Sequence, residues 1–142
     1  MSKAEAATDQ SVASRLGLRP GDLVQEFGYD DDVDFDFRDD IEDAIDSELL
    51  TEEDHEVVDA VIVWWREGDG DLVDALMDCQ TSLDESASVW VLTPKSGRDG
   101  YVPPADIQQA APTAGLHSTS TAGVSKDWAA TRLVPKRTQT QK

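Results

Sequence analysis

The sequence predicts an α/β fold: a small three-layer arrangement built on a mostly parallel sheet that ends in an antiparallel hairpin. Three observations carry this. Two short apolar runs, Asp59 to Trp65 (DAVIVWW) and Ser88 to Thr93 (SVWVLT), are rich in β-branched and aromatic residues. Such runs mark strands covered on both faces, as in parallel sheets. Stretches with helical spacing alternate with them, which is the signature of strand–helix–strand units with right-handed crossovers and helices on both faces. Trp64 and Trp65 are adjacent, so on a strand they point to opposite faces, and both can be buried only if both faces are covered.

Each element follows in order. Arg19-Pro20-Gly21-Asp22 is a turn signal, because Pro fixes φ and Gly accepts φ > 0. Leu23 to Gly28 (LVQEFG) reads as a short strand ended by glycine. From Asp39 the apolar residues Ile41, Ala44, Ile45 and Leu49 fall at helical spacing, with Asp39, Asp40, Glu42 and Asp43 in the first turns, where the helix dipole favours negative charge. A weak strand separates this helix from DAVIVWW. Glu67 to Asp71 breaks that strand and offers an N-cap to a helix lined by Leu72, Val73, Leu76, Met77, Cys79 and Leu83. Ser88 to Thr93 is stopped by Pro94. Pro103-Pro104 opens a helix with Ile107, Ala110, Ala111 and Ala114 on its apolar face, closed by Gly115; Pro112 must kink or shorten it. Leu116 to Gly123 and Trp128 to Val134 are extended segments of a hairpin that adds antiparallel edge strands.

The chain has 142 residues, the size of one domain. Polar segments at 1–13 and 136–142 read as disordered tails, leaving a single domain over 14–135. There are 30 acidic and 12 basic side chains, for a net charge of −18. A chain this acidic does not bind nucleic acid through its phosphates or settle on an anionic membrane. One cysteine excludes an internal disulfide, no apolar leader precedes the domain, and the longest apolar run is too short to span a bilayer. A cytoplasmic protein is expected.

The charge is concentrated. Residues 30–59 hold 16 of the 30 acids and one base, Arg38. Asp30, Asp31, Asp32, Asp34 and Asp36 begin this block and are the candidate partner-binding residues, together with Trp128 as a partly exposed hairpin tryptophan. The D-x-D-x-D-x-D run from Asp30 to Asp36 fails as a calcium loop, since the sixth and twelfth positions carry Phe35 and Ile41 where Gly and Glu are needed. It reads instead as a solvated acidic loop with two apolar anchors. His55 and His117 are isolated, so no metal site is expected. Cys79 reads as a small buried hydrophobe. No nucleophile–base motif is present.

The segments LGLRPGDLVQEFGYDDD, EDAIDSELL, DAVIVWWREGDGDLVDAL, VWVLTPKSGRDG, AAPTAGL and WAATRLV resemble an actinobacterial family, the domain of unknown function numbered 3052. The resemblance spans about Leu16 to Pro135 and implies a cytosolic bacterial protein with little specified chemistry. A second resemblance is architectural. A PG-x-x-V strand ending in glycine, a DxVxxW strand before a helix, a WVLTP strand and a closing antiparallel pair look like a shrunken, Rossmann-like class I methyltransferase. That resemblance implies a ligand loop after the first strand. Glu26 and Gly28 match its acidic-x-Gly start, while Asp30 stands where a further glycine belongs. Pro94, Lys95, Gly97 and Arg98 follow another strand end, where open α/β sheets bind ligands, and are the other ligand-binding candidates; a basic loop paired with a neighbouring acidic face is the alternative.

The leading expectation is a non-catalytic regulatory or interaction module, without cofactor, whose acidic surface meets a basic protein partner. One alternative is a protein or enzyme that binds a ligand of the S-adenosylmethionine type between Gly28 and Lys95. Another is an acidic mimic of nucleic acid. Whether the chain is an enzyme stays open, with the missing constellations weighing against it.

Overall fold

Pro20 and Gly21 turn the chain into the sheet: the Asp22 N–H donates to the Arg19 carbonyl at 3.1 Å, and Gly21 takes φ +93°. The computed structural model describes residues 16–54, 56–80, 83–122 and 125–135. Within them the order is β1 (Val24–Phe27), α1 (Phe35–Ile45), β2 (Val58–Trp64), α2 (Leu72–Cys79), β3 (Leu83–Pro94), α3 (Pro104–Thr113), β4 (Leu116–Ala122) and β5 (Trp128–Pro135). The sheet order is β1-β2-β3-β5-β4. β1, β2 and β3 are parallel neighbours, and β5 is antiparallel to both β3 and β4.

The predicted three layers are present. On one face Phe37, Ile41 and Ile45 of α1 pack on Val24, Ile62, Trp64 and Trp90; on the other Leu76 and Cys79 of α2 and Ile107 and Ala111 of α3 pack on Val61, Val63, Val89 and Leu133. Trp64 belongs to the first face and Trp65 packs on the second, as their adjacency requires. Each fully buried large apolar side chain contributes about 1.5–3 kcal/mol of transfer free energy, so Phe37, Ile41 and Ile45 hold α1 on the sheet although five of its 11 residues are acidic.

Several expectations are corrected. α1 starts at Phe35, four residues early, because Asp34 supplies the cap: its Oδ1 accepts the Phe37 N–H at 3.0 Å. The Asp30–Asp36 run is therefore a short loop running into a helix; of its two apolar residues Val33 is buried and anchors it, Phe35 is exposed, and Phe37 just beyond the run is the second anchor. The helix stops at Ile45, where Asp46 adopts φ +62°, so Leu49 reaches the core from beyond it. Its neighbour Leu50 bridges the free edge of β1, exchanging hydrogen bonds with Glu26 N–H and Val24 C=O at 2.9 Å each, which gives the weak strand its place.

Leu83 opens β3 and does not extend α2; a register shift between Val58 and Ala60 accommodates the longer strand. Met77 faces solvent. The last two strands pair antiparallel as predicted and together close one edge of the sheet, with β4 outermost. β5 inserts between β3 and β4, because its Ala130 and Leu133 are needed in the two apolar layers. Trp128 is 2% exposed, not partly open: it starts an interior strand opposite Pro94 and stacks edge-on to Trp64 at 4.9 Å between centroids. The segments 1–13 and 136–142, and His55, lie outside the described residues.

Candidate functional site

The carboxyl ends of β1, β2 and β3 lie along one side of the sheet, which is where open α/β sheets hold ligands. β1 alternates, so Val24 and Glu26 face α1. Glu26 is 6% exposed. Its carboxylate takes a forked pair from Arg38, Nε to Oε2 at 2.7 Å and Nη2 to Oε1 at 2.9 Å, and a third bond from the Trp64 indole N–H at 2.8 Å. The Glu26 hydrogen bond holds the Arg38 guanidinium above its ordinary pKa. Arg38 also lies over the Tyr29 ring at 4.8 Å.

Gly28 follows with φ +80°. A Cβ there would sit 2.3 Å from the Trp64 carbonyl oxygen, so the residue type is set by the close approach of β2. Both polar backbone groups of Gly28 are taken. Its N–H donates to Glu52 Oε2 at 2.9 Å, and its carbonyl accepts from Arg66 Nη1 at 3.0 Å.

Arg66 is the hub of this end. It forks onto Asp32 (2.8 and 2.6 Å), reaches Asp69 and the Trp64 carbonyl (3.3 Å each), and lies over the Trp128 ring at 5.3 Å. The Arg66 hydrogen bond pulls the Asp32 carboxyl below its ordinary value, and Asp32 in turn raises Arg66.

Two cavities flank Gly28. One, of about 550 Å³, is lined by Glu26, Tyr29, Arg38, Thr51, Glu52 and Glu53. The other, of about 410 Å³, lies over Gly28, Trp65, Arg66, Asp69, Ala75 and Asp78. Tyr29 and Glu52 line both, so they form the partition between them.

The structure brings Glu26 and Gly28 together with Asp30, which lines the second cavity, and Asp32, which is held by Arg66. It does not bring Lys95 to them. Pro94 is buried opposite Trp128. The Lys95 N–H donates to the Asp127 carbonyl at 2.9 Å, and Arg98 pairs with Asp127 at 3.2 Å. Gly97 has open space beside it. Arg66 stands between the two loops, against Gly28 on one side and Gly100 on the other. Of the remaining candidates, Asp34 caps α1 and accepts from Ser125 Oγ, while Asp31 and Asp36 remain exposed. Among the described residues no three of His, Cys, Asp and Glu converge on a metal-sized site, and no helix is long and apolar enough to cross a membrane.

Arg66 and Glu52 were not singled out by the sequence. Arg66 left a signal, as a base closing a buried strand in an acid-rich chain; Glu52 left none.

Comparison with solved structures agrees with this architecture. A Thermoplasma acidophilum protein described as a candidate methyltransferase matches with a TM-score of 0.61 at 12% identity, over 85% of this chain and 71% of that one. The magnesium protoporphyrin IX methyltransferase of Synechocystis, solved with bound S-adenosylmethionine, matches at 0.54 and 13% identity, over 94% of this chain and 80% of that one. At these identities the likeness is one of fold: a mostly parallel, methyltransferase-like sheet. An uncharacterized protein of Mycobacterium tuberculosis is 49% identical over 132 residues, covering 93% of this chain and 83% of the relative. Residues 13–137 match the family DUF3052, a protein of unknown function, and the chain belongs to that family.

Proposed function

We propose that the protein is a non-catalytic interaction module on a methyltransferase-like scaffold, and that the outer face of α1 meets a basic protein partner. The observation that carries this reading is the placement of the helix carboxylates. Asp36, Asp39, Asp40 and Asp43 are exposed and stand at i, i+3, i+4 and i+7, a single stripe. The one base of the helix, Arg38, turns inward to Glu26. Burial raises the Asp40 pKa, with Asp43, Asp36, Asp34 and Asp39 adding to it by repulsion. Like charges at these spacings cost stability, and a cationic surface relieves that cost while steering association.

The test is capture from a cell lysate at low salt with the native chain and with Asp36→Asn, Asp39→Asn, Asp40→Asn and Asp43→Asn combined. One stoichiometric partner is expected with the native chain, lost at high salt and lost in the variant. Equal capture by the variant would sink the reading.

A second reading is favoured by one feature, the cavity of about 410 Å³ beside Gly28 with Trp65 and Tyr29 in its wall. A ligand of the S-adenosylmethionine type is the candidate, by analogy of fold alone. Binding only to the folded state would raise the melting temperature; the first reading expects no rise with saturating S-adenosylmethionine.

A further inference from the structure

At the opposite end of the sheet, on the α1 face, lies a cavity of about 220 Å³. Its polar wall includes Arg19, Asp22, Asp59, Ser88, Trp90 and Arg132. Two arginines and two aspartates thus surround one small space, yet no Arg–Asp pair among these four falls within salt-bridge distance.

Their other bonds leave specific atoms over. Asp22 Oδ2 accepts the Arg19 N–H at 3.0 Å, and Asp59 Oδ2 accepts the Leu23 N–H at 2.8 Å; each keeps a second oxygen. Arg132 Nε donates to Ser88 Oγ at 3.0 Å, which leaves the two terminal nitrogens of its fork. Trp90 is the direct cross-strand partner of Arg132, is 3% exposed, and its indole N–H has no acceptor among the described residues.

A buried donor without an acceptor is costly, and in a chain of net charge −18 an arginine without a carboxylate is a departure from the pattern: Arg38, Arg66 and Arg98 all have one. A ligand carrying both signs completes this arrangement. We infer that this cavity binds a small zwitterion of the free α-amino-acid class. Its carboxylate lies on the terminal nitrogens of Arg132, where a planar fork recognises it, with the Trp90 N–H beside it. Its ammonium lies toward Asp22 and Asp59. The cavity is below the usual range for drug-sized ligands, which fits a molecule of this size. This site is independent of the function proposed above, since it lies at the other end of the strands from Gly28 and uses none of the α1 stripe.

The test follows the indole N–H resonance of Trp90 in the full-length chain by ¹H–¹⁵N correlation, assigned with Trp90→Phe. Each free L-amino acid, acetate and methylamine is titrated in turn. At least one amino acid is expected to shift the resonance saturably, acetate to bind at least ~10-fold more weakly through loss of one charged contact, and methylamine to leave it unmoved. Arg132→Gln is expected to abolish the shift, and Arg132→Lys, which keeps the charge and loses the fork, to weaken it. The inference is overturned if no amino acid moves the resonance, if acetate matches the best amino acid, or if a folded Arg132→Gln or Arg132→Lys chain binds as the native one does.

Discussion

Gly28 passes so close to Trp64 that a Cβ on it would lie 2.3 Å from the Trp64 carbonyl oxygen. The neighbour is backbone of a central strand and cannot give way, and φ at Gly28 is +80°. Gly28→Ala is therefore expected to cost about 3 kcal/mol, from about 1–2 for the left-handed backbone and about 1–3 for overpacking. Gly97→Ala is the control. Its φ of +92° carries the same backbone cost, but open space lies beside it, so about 1 kcal/mol is expected. Denaturant midpoints measure both; equal losses would mean that the contact with Trp64 does not constrain the turn.

Glu26 and Arg38 form the second test. The carboxylate is nearly buried and Arg38 is partly open, so removing one charge strands the other in a half-dry site. Glu26→Gln is expected to cost about 2 kcal/mol, below the range for a fully buried pair because water reaches Arg38. Adding Arg38→Met should restore most of that loss, since it removes the stranded charge while the amide oxygen at position 26 can still accept the Trp64 indole N–H. A double variant as unstable as the sum of the two singles would remove the pair as the cause.

The acid range separates two carboxylates of opposite behaviour. Asp32 has its folded pKa below the ordinary 3.8, so it adds stability above that value, and the gain is lost as pH falls through the depressed folded pKa. Asp40 has its folded pKa raised above 3.8, so it costs stability at neutral pH, and the cost is relieved as pH falls through the raised value. Asp32→Asn should lower the melting temperature at pH 7, and Asp40→Asn should raise it. Both differences should shrink toward pH 3. Parallel shifts of one sign across the range would contradict the two environments.

Cys79 supplies a chemical probe of the α2 face. Burial pushes its thiol up to about 12, so the thiolate that reacts is scarce at pH 8. A disulfide reagent should label the native chain at the rate of global or local opening and label the unfolded chain at once. Immediate labelling of the native chain would place Cys79 at the surface.

What the sequence showed of this fold was its apolar periodicity. DAVIVWW and SVWVLT fix the two buried strands because their residue types serve one geometry only, and the adjacent Trp64 and Trp65 demand a layer on each side. The start of α1 was hidden because Asp34 has to be read as a cap, and in a row of aspartates any of them has the chemistry of one. The place of β5 was hidden because it depends on pairing between residues some forty apart, as in Trp90 with Arg132. Glu26 and Gly28 were visible by motif. Arg66 and Glu52, which occupy the remaining polar atoms of that turn, were not, since their roles arise from distances of 38 and 24 residues along the chain.

Glu52 is where the two readings of the carboxyl-end site part. It is an exposed side chain that covers the Gly28 N–H and divides the two cavities. Glu52→Ala should cost no more than about 1 kcal/mol, as one exposed hydrogen bond is removed. It also frees a backbone donor beside Arg66 and joins the two spaces. If the turn is a ligand site held shut by Glu52, the variant gains a melting-temperature rise with S-adenosylmethionine that the native chain lacks. If the scaffold serves only to present the α1 stripe, neither chain responds to the ligand, and Glu52→Ala captures the partner as well as the native chain does. A ligand response in Glu52→Ala alone would assign the carboxylate the role of an internal plug and would move the search for function from α1 to Gly28.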